Sequence, residues 1–224
     1  MVALSSLFKT LSSLSQGSMM RLMLITAAIT FAGMLALSGL TTWVLTATTF
    51  FETGWLDTAV DFMGGFAVFI ITLLLFPAFM PLVASLFEDK IIGIVEGADY
   101  PNTPKPQDRP FLPELMQDLK FVAISLTLNI ILLPLYLIPI IGQVVFILLN
   151  GYLMGREFFT IAAGRHMGKR EANAYRKANR ITALMGGMIV AGVALIPVVN
   201  LLVPFVGIVL MVHAYHSLKA KQVA

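Results

Sequence analysis

Four long stretches of this chain carry no charged side chain: Leu22 to Phe51, Phe62 to Phe87, Phe121 to Gly155 and Ile181 to Leu218. They run to 30, 26, 35 and 38 residues. Each passes the roughly 18 residues at which an uncharged apolar run reads as a membrane segment. Together they hold 129 of 224 residues, so this chain is built to expose its surface to lipid, and a water-soluble fold is excluded. Composition agrees, with 58% hydrophobic and 12% charged residues and a mean hydropathy of +0.88. A disulfide scaffold is excluded as well, because the chain has no cysteine.

The charges lie between the runs and set an orientation. Lys9 and Arg21 precede the first run, four basic residues lie in 88–120, seven in 156–180, and Lys219 and Lys221 follow the last run. The short loop after the first run holds only Glu52, Asp57 and Asp61. Cytoplasmic loops are enriched in Lys and Arg, so that loop is expected outside, with both termini and the two longer polar segments in the cytoplasm. Residues 1–20 are not expected to be a cleavable signal, since the following run far exceeds a signal's ~7 to 15 residue apolar core. Leu4, Leu7, Phe8, Leu11 and Leu14 recur there at helical spacing, which predicts an amphipathic helix lying on the membrane surface.

The first two runs cover a ~30 Å hydrocarbon layer at 1.5 Å per residue and are expected to span it. The last two are too short for two crossings and a turn, which takes more than ~40 residues. Pro139 divides the third run into arms of 18 and 16 residues, and Pro197 leaves 16 residues before it in the fourth. Helical hairpins that enter the bilayer and return follow, their turns shielded from lipid. Leu137 to Ile141 also matches Leu195 to Val199 at an offset of 58 residues, proline on proline, which points to a duplicated hairpin. The fold expected is all-α and integral to the membrane. It has a single membrane domain over 1–224, with an interfacial helix over 1–20, spanning helices over 22–51 and 62–87, and Pro-centred hemi-penetrating hairpins over 121–155 and 181–218.

The string Leu135 to Gln143, the later Ile196 to Pro204 and the segment Leu86 to Gly97 resemble the CysZ family of bacterial sulfate-uptake membrane proteins, in the etoposide-induced-protein-like superfamily. The resemblance runs from about Leu14 to Tyr215, in order of elements as well as in strings. It implies two long spanning helices, two hemi-penetrating helix pairs, a homo-hexamer with protomers in both orientations, and passage of sulfate or sulfite inward for cysteine synthesis. One motif departs: the family's sulfate-contacting glycine, aliphatic, arginine, arginine string falls on Ser18, Met19, Met20 and Arg21. Only the second arginine is kept, with Gly17 one position away.

Arg21 opens the first span near a helix N-terminus, where Gly17 and Ser18 leave amides accessible, so these three are the expected anion-binding residues. Arg21 equally suits an anchor that snorkels to headgroups. Among the hairpin amides Asn129, Gln143, Asn150 and Asn200, the last three are candidates to line a polar path, as are Arg156 and Glu157 at the first hairpin's end; interhelical packing is the alternative for the amides. Arg156, Arg165, Lys169, Arg170, Arg176, Lys177 and Arg180 form a basic cluster that either gathers anions at a cytoplasmic mouth or holds topology against anionic lipid. No groove-reading module accompanies it, so nucleic acid is not an expected partner.

Catalysis is not expected. His213 and His216 share a helical face, but no carboxylate or cysteine lies near them in sequence; Ser85 and His166 form no recognisable dyad, and no nucleotide or metalloprotease motif is present. Gly151 with Gly155, and Gly186 with Gly187, read as close helix packing, most simply between subunits. The expected function is a channel or permease for a small inorganic anion, passive or gradient-driven and without a cofactor, with a non-transporting scaffold of the same fold as the alternative.

Overall fold

The computed structural model describes residues 2–47, 54, 58, 62–70, 72, 83–104, 106, 124–125, 127–128, 130–132, 134–135, 138–196 and 199–223. Every regular element among them is helical: α1 (Val2–Leu14), α2 (Gly17–Thr46), α3 (Glu88–Asp99), α4 (Ile141–Gly164), α5 (Lys169–Ala178), α6 (Arg180–Ala194), a 3-10 turn at Val199–Leu202, and α7 (Val203–Val223). The chain divides into two compact units, one of Met1–Met20 with Phe87–Ala224 and one of Arg21–Leu86.

Among the described residues, three helices are long and apolar enough to cross a membrane: Gly17–Val44, Ile141–Gly164 and Val199–Gln222. The first overlaps the span expected over 22–51, beginning five residues earlier. Of the span expected over 62–87, residues 62–70 are helical and most of the remainder lies outside the described residues. In that second unit the Ser38 hydroxyl on α2 hydrogen-bonds the Thr72 hydroxyl. The other two long helices follow the expected turn positions, and α4 is longer than the 16-residue arm expected after Pro139. That arm is expected to end at its last uncharged residue, Gly155, whereas α4 continues through Arg156 and Glu157 to Gly164 because no Pro or other breaker stops it. At 24 residues it reaches about 36 Å, whereas α6, at 15, reaches only about 22 Å. The helix that follows α6, α7, is longer at 21 residues.

The hairpin turns repeat each other in backbone geometry. The Ile138 amide donates to the Leu135 carbonyl at 3.2 Å and the Gly142 amide to the Ile138 carbonyl at 2.7 Å. Exactly 58 residues later in register, Ile196 donates to Val193 at 3.1 Å and Asn200 to Ile196 at 2.8 Å. The first turn closes with Ile141 N bonded to Pro139 O at 2.7 Å around Ile140, whose φ of 66° and ψ of −54° make a γ-turn of the strained, positive-φ kind. Pro197 lies outside the described residues.

α4 and α6 approach so closely that a Cβ on Gly187 would collide with the Gly151 carbonyl and the Gly155 backbone, and one on Gly155 with the Ala183 carbonyl. A Cβ on Gly186 would strike the Met211 side chain of α7. These glycines pack helices within one chain rather than between subunits, which corrects the sequence expectation: α4, α6 and α7 belong to one bundle, so their small faces find each other first.

α1 is helical as expected. Ser6, Thr10 and Ser13 are the buried side, while Phe8 is 77% and Leu11 59% exposed. Leu7 and Leu14 pack against the cluster of Val190, Val203, Val206 and Leu210, and the Leu4 side chain lies outside the described ones. Small hydroxyl residues let α1 lie close to α7, and Ser6 and Thr10 satisfy their own hydroxyls on the carbonyls of Val2 and Ser6. In a chain whose solvent is lipid, the larger apolar residues face outward.

Candidate functional site

α2 begins at Gly17, so Gly17 and Ser18 occupy its first turn and Arg21 its second; all three are exposed. The Met20 amide is already taken by the Gln16 carbonyl at 2.9 Å. Gln143 is exposed in the first turn of α4, and Asn200 sits half-buried in the 3-10 turn. Asn150 donates its side-chain amide to the Phe146 carbonyl of its own helix at 3.1 Å. Arg156 and Glu157 are half-buried on α4. Of these pore-lining candidates, Arg156 enters a distinct cluster.

That cluster is built where α5 runs almost directly into α6. The Asn179 amide bonds back to Tyr175 and Arg176 carbonyls, both at 3.1 Å, so Arg176 and Arg180 stand one turn apart on a nearly continuous helical path. Arg156 joins them from α4, and with Tyr152, Ile181 and Leu184 the arginines line a cavity of about 270 Å³. Arg176 is only 8% exposed, and its Nε has no hydrogen-bond partner among the described residues. Burial pushes the Arg176 guanidinium below its ordinary range; Tyr152 opposes this and the nearby Arg156 charge reinforces it. Convergent guanidinium groups with a buried, unanswered donor make a place for an oxyanion, since planar N–H forks match its oxygens and its charge relieves their mutual repulsion. The basic run in the sequence is thus divided: three of its members gather at this cavity, and Arg165 turns elsewhere.

Arg165 faces α3, where its Nη1 donates to the Asp89 carbonyl at 2.8 Å and the Asp89 carboxylate at 3.0 Å, and its Nε lies 3.2 Å from Glu96 Oε2. The last is an ion-pair distance off the hydrogen-bond line. Glu96 Oε1 receives His166 Nε2 at 2.6 Å and His216 Nε2 at 3.0 Å. Burial alone raises the Glu96 carboxyl, but hydrogen bonds and charge from His166 and His216 outweigh it and bring the group down to about 2. Glu96 is therefore an anion held inside the protein by cationic and N–H groups on three sides.

The third histidine completes a separate string beside it. His213 is fully buried, with Nε2 2.9 Å from Ser13 Oγ and Nδ1 2.9 Å from the Tyr100 hydroxyl; Ser13 donates onward to Asp99 at 3.1 Å. One proton assignment satisfies every link: Tyr100 gives its proton to Nδ1, Nε2–H donates to Ser13, and Ser13 donates to Asp99. Burial, helped by Asp99, raises the Tyr100 hydroxyl to about 12, keeping that proton in place. The Ser13 to His213 distance is that of a nucleophile and its base, but Asp99 holds the serine rather than the histidine, and Ser13 is buried. The string is wired to join α1, α3 and α7. Tyr100 also stacks on His216, ring centroids 4.0 Å apart.

All three histidines thus meet at α3 although only His213 and His216 are near neighbours in sequence. The carboxylate that sequence reading did not find beside them comes from 120 residues earlier. Its signal was Glu96 itself, an acid on the same helical face as Ile92 and Val95, both of which are buried.

Comparison with known proteins gives one family. The family model described as "Sulfate transporter CysZ/Etoposide-induced protein 2.4" matches residues 6–204. No curated protein matches the chain.

Proposed function

The chain belongs to the sulfate transporter CysZ/etoposide-induced protein 2.4 family, and from that premise we propose that it conducts sulfate, or an oxyanion as small as sulfite, across the bacterial inner membrane. The observation that carries this reading is Arg176, a buried guanidinium with an unpartnered Nε lining a cavity shared with Arg156 and Arg180. In the orientation that the charges favour, this cavity lies toward the cytoplasm, and both termini lie there too. Gly17, Ser18 and Arg21 form a second anion contact in the proposal, supported by their exposure in the first turns of α2. Gln143 and Asn200, each just after one of the two repeated turns, supply weak neutral contacts along the way, which lets an ion leave as well as enter. Transport is passive or gradient-driven, and the protein works as a homo-oligomer surrounded by lipid.

Radiolabelled sulfate flux into liposomes holding the purified protein tests the reading. Wild-type flux above that of empty liposomes, reduced at least tenfold by Arg176→Gln, is the expected result. Flux no faster than empty liposomes across pH and gradient would replace the channel with a non-transporting membrane scaffold.

A further inference from the structure

We propose that Glu96, His166 and His216 form a binding site for a divalent zinc-class metal ion. The ligand atoms, Glu96 Oε1 and the Nε2 atoms of His166 and His216, all lie within 4.8 Å of one another. They come from α3, from the turn that follows α4, and from α7, so the grouping is made by the tertiary fold and not by a local sequence motif.

Their chemistry selects the metal. Two imidazole nitrogens and one carboxylate oxygen suit Zn²⁺ and its borderline neighbours, whereas Mg²⁺ and Ca²⁺ take oxygen ligands alone. Zinc bonds of about 2.0–2.2 Å in a tetrahedron set ligand atoms roughly 3.3 Å apart. The observed separations of 2.6 and 3.0 Å between Oε1 and the two Nε2 atoms need to open by about 0.7 and 0.3 Å to reach that spacing. Arg165 engages the other carboxylate oxygen, Oε2, so Oε1 is the oxygen left to the metal, and its direction is fixed from behind. The side chains of Glu96, His166 and His216 are 8%, 6% and 12% exposed, so they are already ordered and largely desolvated. Both histidines also line an open cavity of about 1160 Å³ alongside Tyr100, Glu171 and Lys219, through which an ion can enter and water can fill the fourth coordination position. Binding takes the Nε2 lone pair of each imidazole, and the proton that the carboxylate now accepts passes through the water of the cavity, to Nδ1 of a neutral ring or to solvent from a doubly protonated one. The ion then replaces two hydrogen bonds with three metal bonds and fastens α3, the α4–α5 turn and α7 together.

Cobalt(II) is the probe, because its spectrum reports coordination and zinc displaces it. Chelator-treated, detergent-solubilised full-length protein is expected to bind one equivalent of Co²⁺, with the intense visible bands of a tetrahedral ion that vanish on adding Zn²⁺. Zinc is also expected to raise the thermal unfolding midpoint of the wild type and not that of Glu96→Gln. The cysteine-free background supplies a ligand-specific readout. His166→Cys retains the ion and adds a thiolate-to-cobalt charge-transfer band, while His213→Cys, in the neighbouring string, adds none. Absence of a saturable one-equivalent cobalt spectrum in the wild type overturns the site without reference to any variant. So does a wild-type spectrum left unchanged by both Glu96→Gln and His216→Gln.

Discussion

His166 Nε2 lies 2.6 Å from Glu96 Oε1, joining residues 70 apart in sequence. Burial raises the Glu96 carboxyl, but hydrogen bonds and charge from His166 and His216 outweigh it and make Glu96 a much stronger acid than an ordinary carboxyl, at about 2 against 4.5. A group whose folded value is depressed contributes stability that is complete above its unfolded value and is lost as pH falls toward the folded one. Thermal unfolding in detergent should therefore show a midpoint that falls as pH drops from 4.5 toward 2, and Glu96→Gln should flatten that part of the profile while lowering the midpoint near neutrality. An identical acid limb in wild type and variant would show that Glu96 is not held in this way.

The α4–α6 contact predicts a steep cost for a single methyl group. Gly187→Ala places a Cβ against backbone atoms of Gly151 and Gly155, which cannot move aside as a side chain can. Overpacking of this kind costs about 1–3 kcal/mol, read as a lower unfolding midpoint. Gly192→Ala, on the same helix with open space around it, should be neutral or slightly stabilising because alanine favours the helix.

What was legible in the sequence depends on how far apart the deciding residues lie. The uncharged runs and the turn at Pro139 are local features, and α2 overlaps the first run, a turn forms at 138–140 and α4 starts directly after it. The offset of 58 residues survives as matched hydrogen bonds because two similar strings meet two similar turns. Phe8 and Leu11 show a limit of periodicity, because their spacing fixes a helical face but not whether protein or lipid covers it. Glu96 and His216 were opaque for another reason. Each is an ordinary polar residue in its own neighbourhood, and only the packing of α3 on α7 brings them together. The arginine cavity falls between these cases, its residues visible as a charged run but its membership settled by the angle at Asn179.

Topology can be read by chemical labelling, since single cysteines enter a cysteine-free background. Asp57→Cys should react with an impermeant maleimide from outside, and Arg170→Cys should not. Ile140 is 74% exposed at the tip of the first hairpin turn, so Ile140→Cys distinguishes depth from packing. Ready labelling from outside means that the turn reaches the outer surface and α4 crosses the membrane fully. Protection that ends only when detergent is added places the turn within the bilayer. Equal labelling at 57 and 170 would show protomers inserted in both orientations.

The arginine cavity and the start of α2 make different demands on their arginines, and paired substitutions separate them. Arg176 is buried, so Arg176→Gln should weaken sulfate binding by the worth of a charge-assisted hydrogen bond, about 1.5–3 kcal/mol, or roughly ten- to a hundredfold. Lysine should recover only part of this, because a point charge does not reproduce the bidentate hold of a guanidinium on a tetrahedral oxyanion. Arg21 is exposed, so its two roles diverge more sharply. As an anion contact, Arg21→Ala lowers affinity and leaves expression unchanged; as a headgroup anchor, lysine replaces it fully and alanine alters insertion. Met20→Arg restores the second arginine of the family string and should tighten sulfate binding only if this end of α2 contacts the ion. Equilibrium binding of sulfate to the five variants in detergent provides the comparison. Loss at Arg176 with indifference at Met20 and Arg21 would leave the cavity between α4, α5 and α6 as the binding site and reduce the start of α2 to an anchor.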